Sequence, residues 1–387
     1  MDTIFFDHIS GTPLHPEVRE VMIRHLQESY GNPTSQHSVG IAAQEALEEA
    51  RSRVAGLVNA PSSSIVFTSG GTEAVNHAIK GVALSLRDKG RHIVTSNIEH
   101  SAVARSLRLL MRLGYRVTSL PVDRHGLVDP GDVAKAIASD TILVTVMHAN
   151  NEIGTIEPIA EIGRITRERG VLFHTDAVAS VGVIPFDVEE MGVDLASMAA
   201  NQFYGPHGVG ALYIRPKTRI MPFIDGGIQE YNLRAGTQNM AGIVGMGKAA
   251  ELAKRDMPAR IAYVRDLRDF FLARLADMEA MTVNGHPTRC LPHLVSFSVG
   301  YVEGESMMLL LDEKGICIST RSACATGSLR ASHVLLAIGC DYASAQGTLI
   351  FSFGIGNTKE ELNRAFGVFT ESVAFLRNIS PLYRKKR

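Results

Sequence analysis

The sequence predicts an α/β protein, with a mostly parallel seven-stranded sheet in a large domain and a smaller C-terminal α+β domain. Two observations carry this. Short, nearly continuous apolar runs alternate with amphipathic helical stretches through the first two thirds of the chain, as buried parallel strands with crossover helices do. After about residue 250 that rhythm gives way to a long charged helix followed by shorter strands. A length of 387 residues with 45% hydrophobic and 20% charged content is enough for two domains with an ordinary core.

The elements follow in order. Pro16 to Glu28 places Val18, Val21, Met22 and Leu26 on one helical stripe, and Leu47, Ala50, Val54, Leu57 and Val58 mark a second helix. Strands are expected at Ile65–Thr68, His92–Ser96, Arg116–Val122, Thr141–His148, Val171–Thr175, Asp194–Ala199 and Gly210–Ile214. Crossover helices are expected at Thr72–Arg87, Ser101–Leu113, Pro130–Ala138 and Ile159–Arg169. Beyond them come a helix from Ala259 to Met278 and strands at Leu294–Val299, Ile316–Thr320 and Leu349–Phe353. The expected domains are residues 15–257 and residues 258–387, the latter joined by 1–14. Neither a repeat nor a low-complexity linker separates them.

Charge and composition narrow the function. A net charge of −1 argues against nucleic acid or an anionic membrane as partner, and the terminal Arg384–Arg387 run reads as a solvated tail. The N-terminus lacks the basic start of a signal peptide, and no apolar run reaches the length of a membrane span, so a cytoplasmic protein is expected. Cys290, Cys317, Cys324 and Cys340 form no CxxC pair, which makes a single-chain zinc site unexpected.

Ligands of an open parallel sheet sit beyond the carboxyl ends of its strands, and the polar and glycine-rich segments of this chain fall there. Ser69-Gly70-Gly71-Thr72-Glu73 opens a helix and suits a phosphate, although glycine at such a turn also serves sterics. His100, Asn151 and Asp176 follow at successive strand ends. Each also admits a structural role: a hydrogen-bonded histidine, a turn amide, a carboxylate capping backbone. Together they converge on one crevice.

These residues lie within GNPTSQHSVG (31–40), FTSGGTEAVNHAIKG (67–81), EHSAV (99–103), MHANNEIGTIEP (147–158), DAVASVG (176–182), YGPHGVGALYIR (204–215), LRAGTQN (233–239) and TRSACATGSL (320–329). In order and spacing the set resembles the cysteine desulfurases, which are fold-type I enzymes dependent on pyridoxal phosphate (PLP). The resemblance covers nearly the whole chain. It implies that Gly71 and Thr72 bind the cofactor phosphate, His100 stacks on the pyridine ring, Asn151 lies beside it and Asp176 pairs with its nitrogen. It further implies a homodimer in which Thr237 reaches the phosphate of the other subunit's cofactor. Cys324 would take sulfur from cysteine as a persulfide.

The chain also departs from that pattern. Where the resemblance expects Ser-x-His-Lys ahead of YGPxG, the sequence reads Ala199-Ala200-Asn201-Gln202. Gln202 stands at the position of the lysine that holds PLP covalently and moves the Cα proton, and an amide does neither. Ala179 replaces a glutamine at the cofactor's phenolic oxygen, and Ile350 an arginine that grips the substrate carboxylate. Ile355 corresponds to a second arginine. His207 belongs to the next turn and is not assigned the role of base.

The expectation is therefore a sulfur-handling protein of iron–sulfur cluster assembly in which lysine-based PLP chemistry is impaired or lost. Cys324 would accept or relay persulfide sulfur, or ligate an iron–sulfur cluster shared with a scaffold protein. The alternatives are an active desulfurase, converting L-cysteine to L-alanine and persulfide with PLP held non-covalently, and a catalytically silent interaction platform.

Overall fold

The structure is a computed structural model and describes residues 3–320, 331–381 and 383. Its strands are β1 (Ile4–Phe5), β2 (Ile65–Thr68), β3 (His92–Ser96), β4 (Arg116–Leu120), β5 (Thr141–Thr145), β6 (Leu172–Asp176), β7 (Leu195–Ala199) and β8 (Gly210–Ile214). The remainder are β9 (Met281–Val283), β10 (Leu294–Val299), β11 (Ile316–Cys317) and β12 (Thr348–Ser352).

The large sheet has the order β2-β8-β7-β6-β5-β3-β4. β7, β6, β5, β3 and β4 pair in parallel, while β8 runs antiparallel to both neighbours. The expected seven strands are all present. Period-2 alternation sorts their side chains onto two buried faces. Ile65, Phe67, Val94, Val144, Phe173, Ala196, Ala211 and Tyr213 fill one core. Val66, Ile93, Leu143, Leu195 and Leu212 enter a second core with the helices Gly71–Ser85 and Ser101–Arg112. β4, at the sheet edge, is the strand with exposed positions.

β4 and β5 stop short of the expected Val122 and His148. Residues 146–148 keep bonding β6, with Val146 N donating to His174 O and His148 N to Asp176 O, but pairing with β3 ends at Thr145. The chain thus peels away where the crevice opens.

The expected helix Ala259–Met278 is a correction. It is the second half of one helix, Met240–Leu275, that continues through Pro258. A proline inside a helix removes one hydrogen bond and normally marks a boundary. Tertiary packing overrides that preference here. In the first half Gly247 lies so close to the helix Ser38–Leu57 that a Cβ would sit 2.7 Å from Ala50 Cα. In the second half Val264, Leu267, Phe271 and Leu275 are buried, and the last three join a separate core around β10 and β12. The expected boundary at 257/258 falls inside this helix.

That separate core is aromatic. Phe271 stacks on Phe351, while Phe297 and Phe369 stand tilted or edge-on to them, over the three-stranded antiparallel sheet β12-β10-β9. Ile4 and Phe6 join it, and β1 pairs in parallel with β11. The chain start is thereby led past the carboxyl ends of the large sheet. Among the described residues no helix is long and apolar enough to cross a membrane.

Candidate active site

A cavity of about 220 Å³ opens where the strand-end segments meet. Gly71 and Thr72 reach it after β2, His100 after β3, Met147 and Asn151 after β5, Asp176 and Ala179 after β6, and Ala199 and Gln202 after β7. Ile9 and Ser10 from the N-terminal segment and Ile350 of β12 close it. Five of the six expected cofactor-contacting residues are thus brought together. Thr237 is the exception, being exposed and outside the lining of this single chain.

The phosphate-type turn is built by sequence. Gly70 adopts φ +149, and the helix Gly71–Ser85 has no side-chain cap on its first N–H groups. Those donors remain available to an anion, which the helix dipole also favours. Gly71 has a steric reason as well, since a Cβ there would lie 2.4 Å from Val178 Cγ2. Glu73 braces the turn: Ser69 N donates to its Oε2 at 2.8 Å, and Arg234 Nε to its Oε1 at 2.9 Å. Burial works to raise the Glu73 pKa, but those contacts hold it below the usual value.

Asp176 ends β6 and is buried. Burial pushes its pKa up, while His100 and the N–H of Val178, 3.1 Å from Oδ1, pull it down. Such a carboxylate stays charged most readily opposite a cationic N–H. The His100 ring is aimed by its own helix: Nδ1 accepts from Ala102 N at 3.1 Å as the N-cap of Ser101–Arg112. Its proton therefore sits on Nε2.

Glu99 lies one residue before His100 and had no assigned role. Its Oε1 accepts from Ser96 Oγ at 2.6 Å and Met147 N at 3.0 Å. Burial drives its pKa to about 8. His148 and His174 sit beneath the same strand ends, held by Ser180 on one side and by Thr145 and Ser197 on the other. Burial lowers them to about 4 and about 3, so both are neutral framework residues.

Gln202 ends the short turn Ala200–Gln202 and is buried. Its Nε2 donates to Ile9 O at 3.0 Å. Nearby, Thr12 N and Oγ1 donate to Asn201 O at 2.7 and 2.9 Å, and Tyr204 N donates to Thr12 Oγ1 at 2.7 Å. The N-terminal segment is thus stitched to the turn carrying Gln202. Nothing in the local sequence announces this, because the partners are 193 residues apart. Among the described residues, no lysine or arginine lines the cavity. His207 is exposed and outside it.

Cys324, expected as the sulfur nucleophile and cluster ligand, lies outside the described residues. The described residues flanking it are fastened near the cavity. Ser319 and Ile350 exchange backbone hydrogen bonds at 3.1 and 2.7 Å. Ser332 Oγ donates to Glu152 Oε2, and His333 Nε2 bonds Glu99 O at 3.0 Å.

This arrangement of turn, buried carboxylate and imidazole at the ends of a mostly parallel sheet belongs to one broad class. The model of the class-V aminotransferases matches residues 4–365, and the chain is a member of that family. Within it, the chain belongs to the cysteine desulfurases. It is 50% identical to the cysteine desulfurase IscS of Dictyoglomus turgidum, over 98% of this chain and 96% of the relative. The cysteine desulfurase IscS of Methanosarcina thermophila is 46% identical over 99% and 95%. A solved NifS-like protein superposes with a TM-score of 0.91 at 37% identity, covering 96% of this chain and 100% of the other. The fold is accordingly that of the fold-type I cysteine desulfurases.

The donor set fits PLP. A buried carboxylate, the first turn of a helix with no side-chain cap, and an imidazole all line the one cavity. What the described lining lacks is an amine to bond the cofactor covalently.

Proposed function

We propose that this protein is a cysteine desulfurase that holds PLP without a covalent link and passes sulfur from L-cysteine to Cys324. The intact cradle of Thr72, His100, Asn151 and Asp176 around one cavity carries this reading. Relatives of near-equal length named as cysteine desulfurases favour an active enzyme over the impaired one that Gln202, with Ala179 and Ile350, suggested. We read the protein as a cytoplasmic homodimer, with Thr237 serving the neighbouring site, that delivers sulfur to an iron–sulfur scaffold protein.

When bound, PLP supplies the electron sink that weakens bonds at an amino acid's α and β carbons. The chain's own residues position and polarise. Asp176 would hold the proton of the pyridine nitrogen, since burial raises its pKa and an opposite N–H cation would favour its charged form. The first turn of Gly71–Ser85, with the Thr72 hydroxyl, receives the phosphate. His100, fixed through Nδ1, presents its ring. Gln202 holds the N-terminal segment against the site and leaves covalent attachment out. The net reaction balances as L-cysteine plus the Cys324 thiol giving L-alanine plus Cys324 persulfide. The cysteine C–S bond breaks, an S–S bond forms, and the thiol proton goes to the carbon.

A second reading, sulfur relay or cluster ligation by Cys324 without lysine-type catalysis, is favoured by the pinned amide of Gln202 and by apolar Ile350 in the lining. One experiment separates the two. Purified protein is dialysed against PLP, its absorbance recorded, and L-alanine and persulfide counted after L-cysteine is added. A band near roughly 390–420 nm with one alanine per persulfide supports the desulfurase. A bound cofactor with no alanine, or brown cluster absorption, supports the relay, and a colourless protein inert to both supports the platform.

A further inference from the structure

Gln202 lines two cavities. On its far side from the strand-end crevice lies a smaller one of about 40 Å³, bordered also by His8, Thr12, Tyr204, Arg260 and His293. These residues come from the N-terminal segment, the turn after β7, the long helix Met240–Leu275 and the segment before β10. We propose that this small cavity is a binding site for a monovalent inorganic anion of about one or two heavy atoms.

Three unpaired polar atoms carry the inference. His8 and His293 are 5% and 6% exposed, and the Nδ1 of each is buried without a partner among the described residues. Arg260 Nη1 is likewise buried and unpaired, while its Nη2 reaches Asp256 at 3.3 Å. Native proteins seldom leave such groups unsatisfied, and a buried guanidinium N–H is among the costliest to leave so. The Tyr204 hydroxyl oxygen accepts from Ile355 N at 2.9 Å, which leaves its own proton to donate. No aspartate or glutamate borders the cavity among the described residues.

The site is therefore small and lined by the unpaired Nη1 of Arg260, a guanidinium that also pairs with Asp256, and by the Tyr204 hydroxyl. Burial holds His8 near about 4 and His293 near about 3, so both rings are neutral. Neutral His293 with its proton on Nδ1 donates once, which suits a monovalent anion, whereas the ring proton of His8 serves its bonds to Phe5 and Asn357. A carboxylate-bearing amino acid is too large for the space. Water alone would supply acceptors, but an anion also bonds the free Nη1 edge of Arg260, whose charge Asp256 shares at 3.3 Å and whose contact with the Tyr204 ring at 5.3 Å keeps it in place. Two sources supply such an anion: halide from solution, and hydrosulfide released when two equivalents of a thiol reduce a protein persulfide to the thiol and are themselves oxidised to a disulfide. The site itself stands whether or not the crevice holds PLP.

Bromide is the probe. Crystals of the full chain soaked in bromide should show anomalous density within hydrogen-bond reach of Arg260 Nη1, and in solution bromide should raise Tm. Arg260→Met should lose both, whereas Arg260→Lys, which keeps the charge but loses the fork, should retain the density with affinity weaker by about tenfold. Sodium hydrosulfide is then added in competition. Displacement of bromide identifies hydrosulfide as a natural occupant, and retention identifies halide; either outcome supports an anion site. Wild-type crystals without density in this cavity, or bromide stabilisation equal in wild type and Arg260→Met, would overturn the proposal.

Discussion

Gln202 Nε2 donates a hydrogen bond to Ile9 O at 3.0 Å, tying the turn after β7 to a segment 193 residues away. An amide in this place acts as a strut. Replacing it with lysine supplies an amine but removes the strut, and leaves Ile350 in the lining where a carboxylate would need a cation. Gln202→Lys is therefore expected to bind PLP more tightly without a large gain in alanine formation from L-cysteine. Steady-state assays of both proteins with saturating PLP check this, and a hundredfold gain in kcat/KM would contradict it (about 2.7 kcal/mol in barrier).

The lack of a lysine or arginine in the described lining predicts that borohydride leaves no cofactor on the protein. Peptide mapping after reduction should find no phosphopyridoxyl-lysine. Label at Lys80 or Lys248 would show that another amine had reached the site.

Glu99 should impose a pH-dependent cost on stability. Its pKa is raised by burial from an ordinary 4.5 to about 8. Between those values the unfolded chain releases the proton and the folded one keeps it, so stability falls as pH rises through the window. Glu99→Gln keeps an acceptor for Ser96 and Met147 and removes the titration. The variant should match wild type near pH 4.5 and gain at least about 1 kcal/mol over it near pH 8. Urea denaturation across that range reads the difference, and a gap that does not widen with pH would refute the assignment.

Glu230 buries its carboxylate against Arg51, at 2.6 and 3.0 Å, and accepts from Phe67 N at 2.8 Å. It does so from three successive left-handed residues, Glu230, Tyr231 and Asn232, with φ of 45, 59 and 61. Removing Glu230 leaves the buried Arg51 with only the half-exposed Glu48 as counter-charge, and should cost about 3 kcal/mol, the low end for a broken buried pair. Glu230→Ala is accordingly expected to lower the urea midpoint strongly. Because Phe67 leads into the Ser69–Thr72 turn, PLP retention on dialysis should weaken as well.

Persulfide should form on Cys324 and not on Cys290, Cys317 or Cys340. Burial raises the pKa of each of the latter three, and nearby aspartates reinforce this at Cys317 and Cys340. A raised pKa disfavours the thiolate that accepts sulfur. Cys324→Ser should abolish persulfide labelling while Cys340→Ser leaves it intact. Equal labelling of the two variants would leave Cys324 without a special role.

The resemblance, read from local motifs, already named the fold class and five residues that meet in the crevice: Gly71, Thr72, His100, Asn151 and Asp176. They were legible because each sits at the end of a strand or within a few residues after it, and in a parallel sheet those ends lie on one edge. Strand positions were legible for a similar reason, since apolar periodicity is written in neighbouring residues. Other features had no local signature. The helix through Pro258 continues because Gly247 and Phe271 pack into two different cores, which outweighs the proline's own preference. Ile9 and Ser10 reach the crevice because β1 pairs with β11 and leads the chain there. Glu99 was passed over because only its surroundings, not its sequence neighbours, remove it from water. By itself the sequence determined the seven strands of the large sheet and the segments at their ends, and that an amide stands at position 202. Only the tertiary structure decided what that amide holds and that a second, donor-lined cavity lies behind it, because both depend on contacts between segments far apart in the chain.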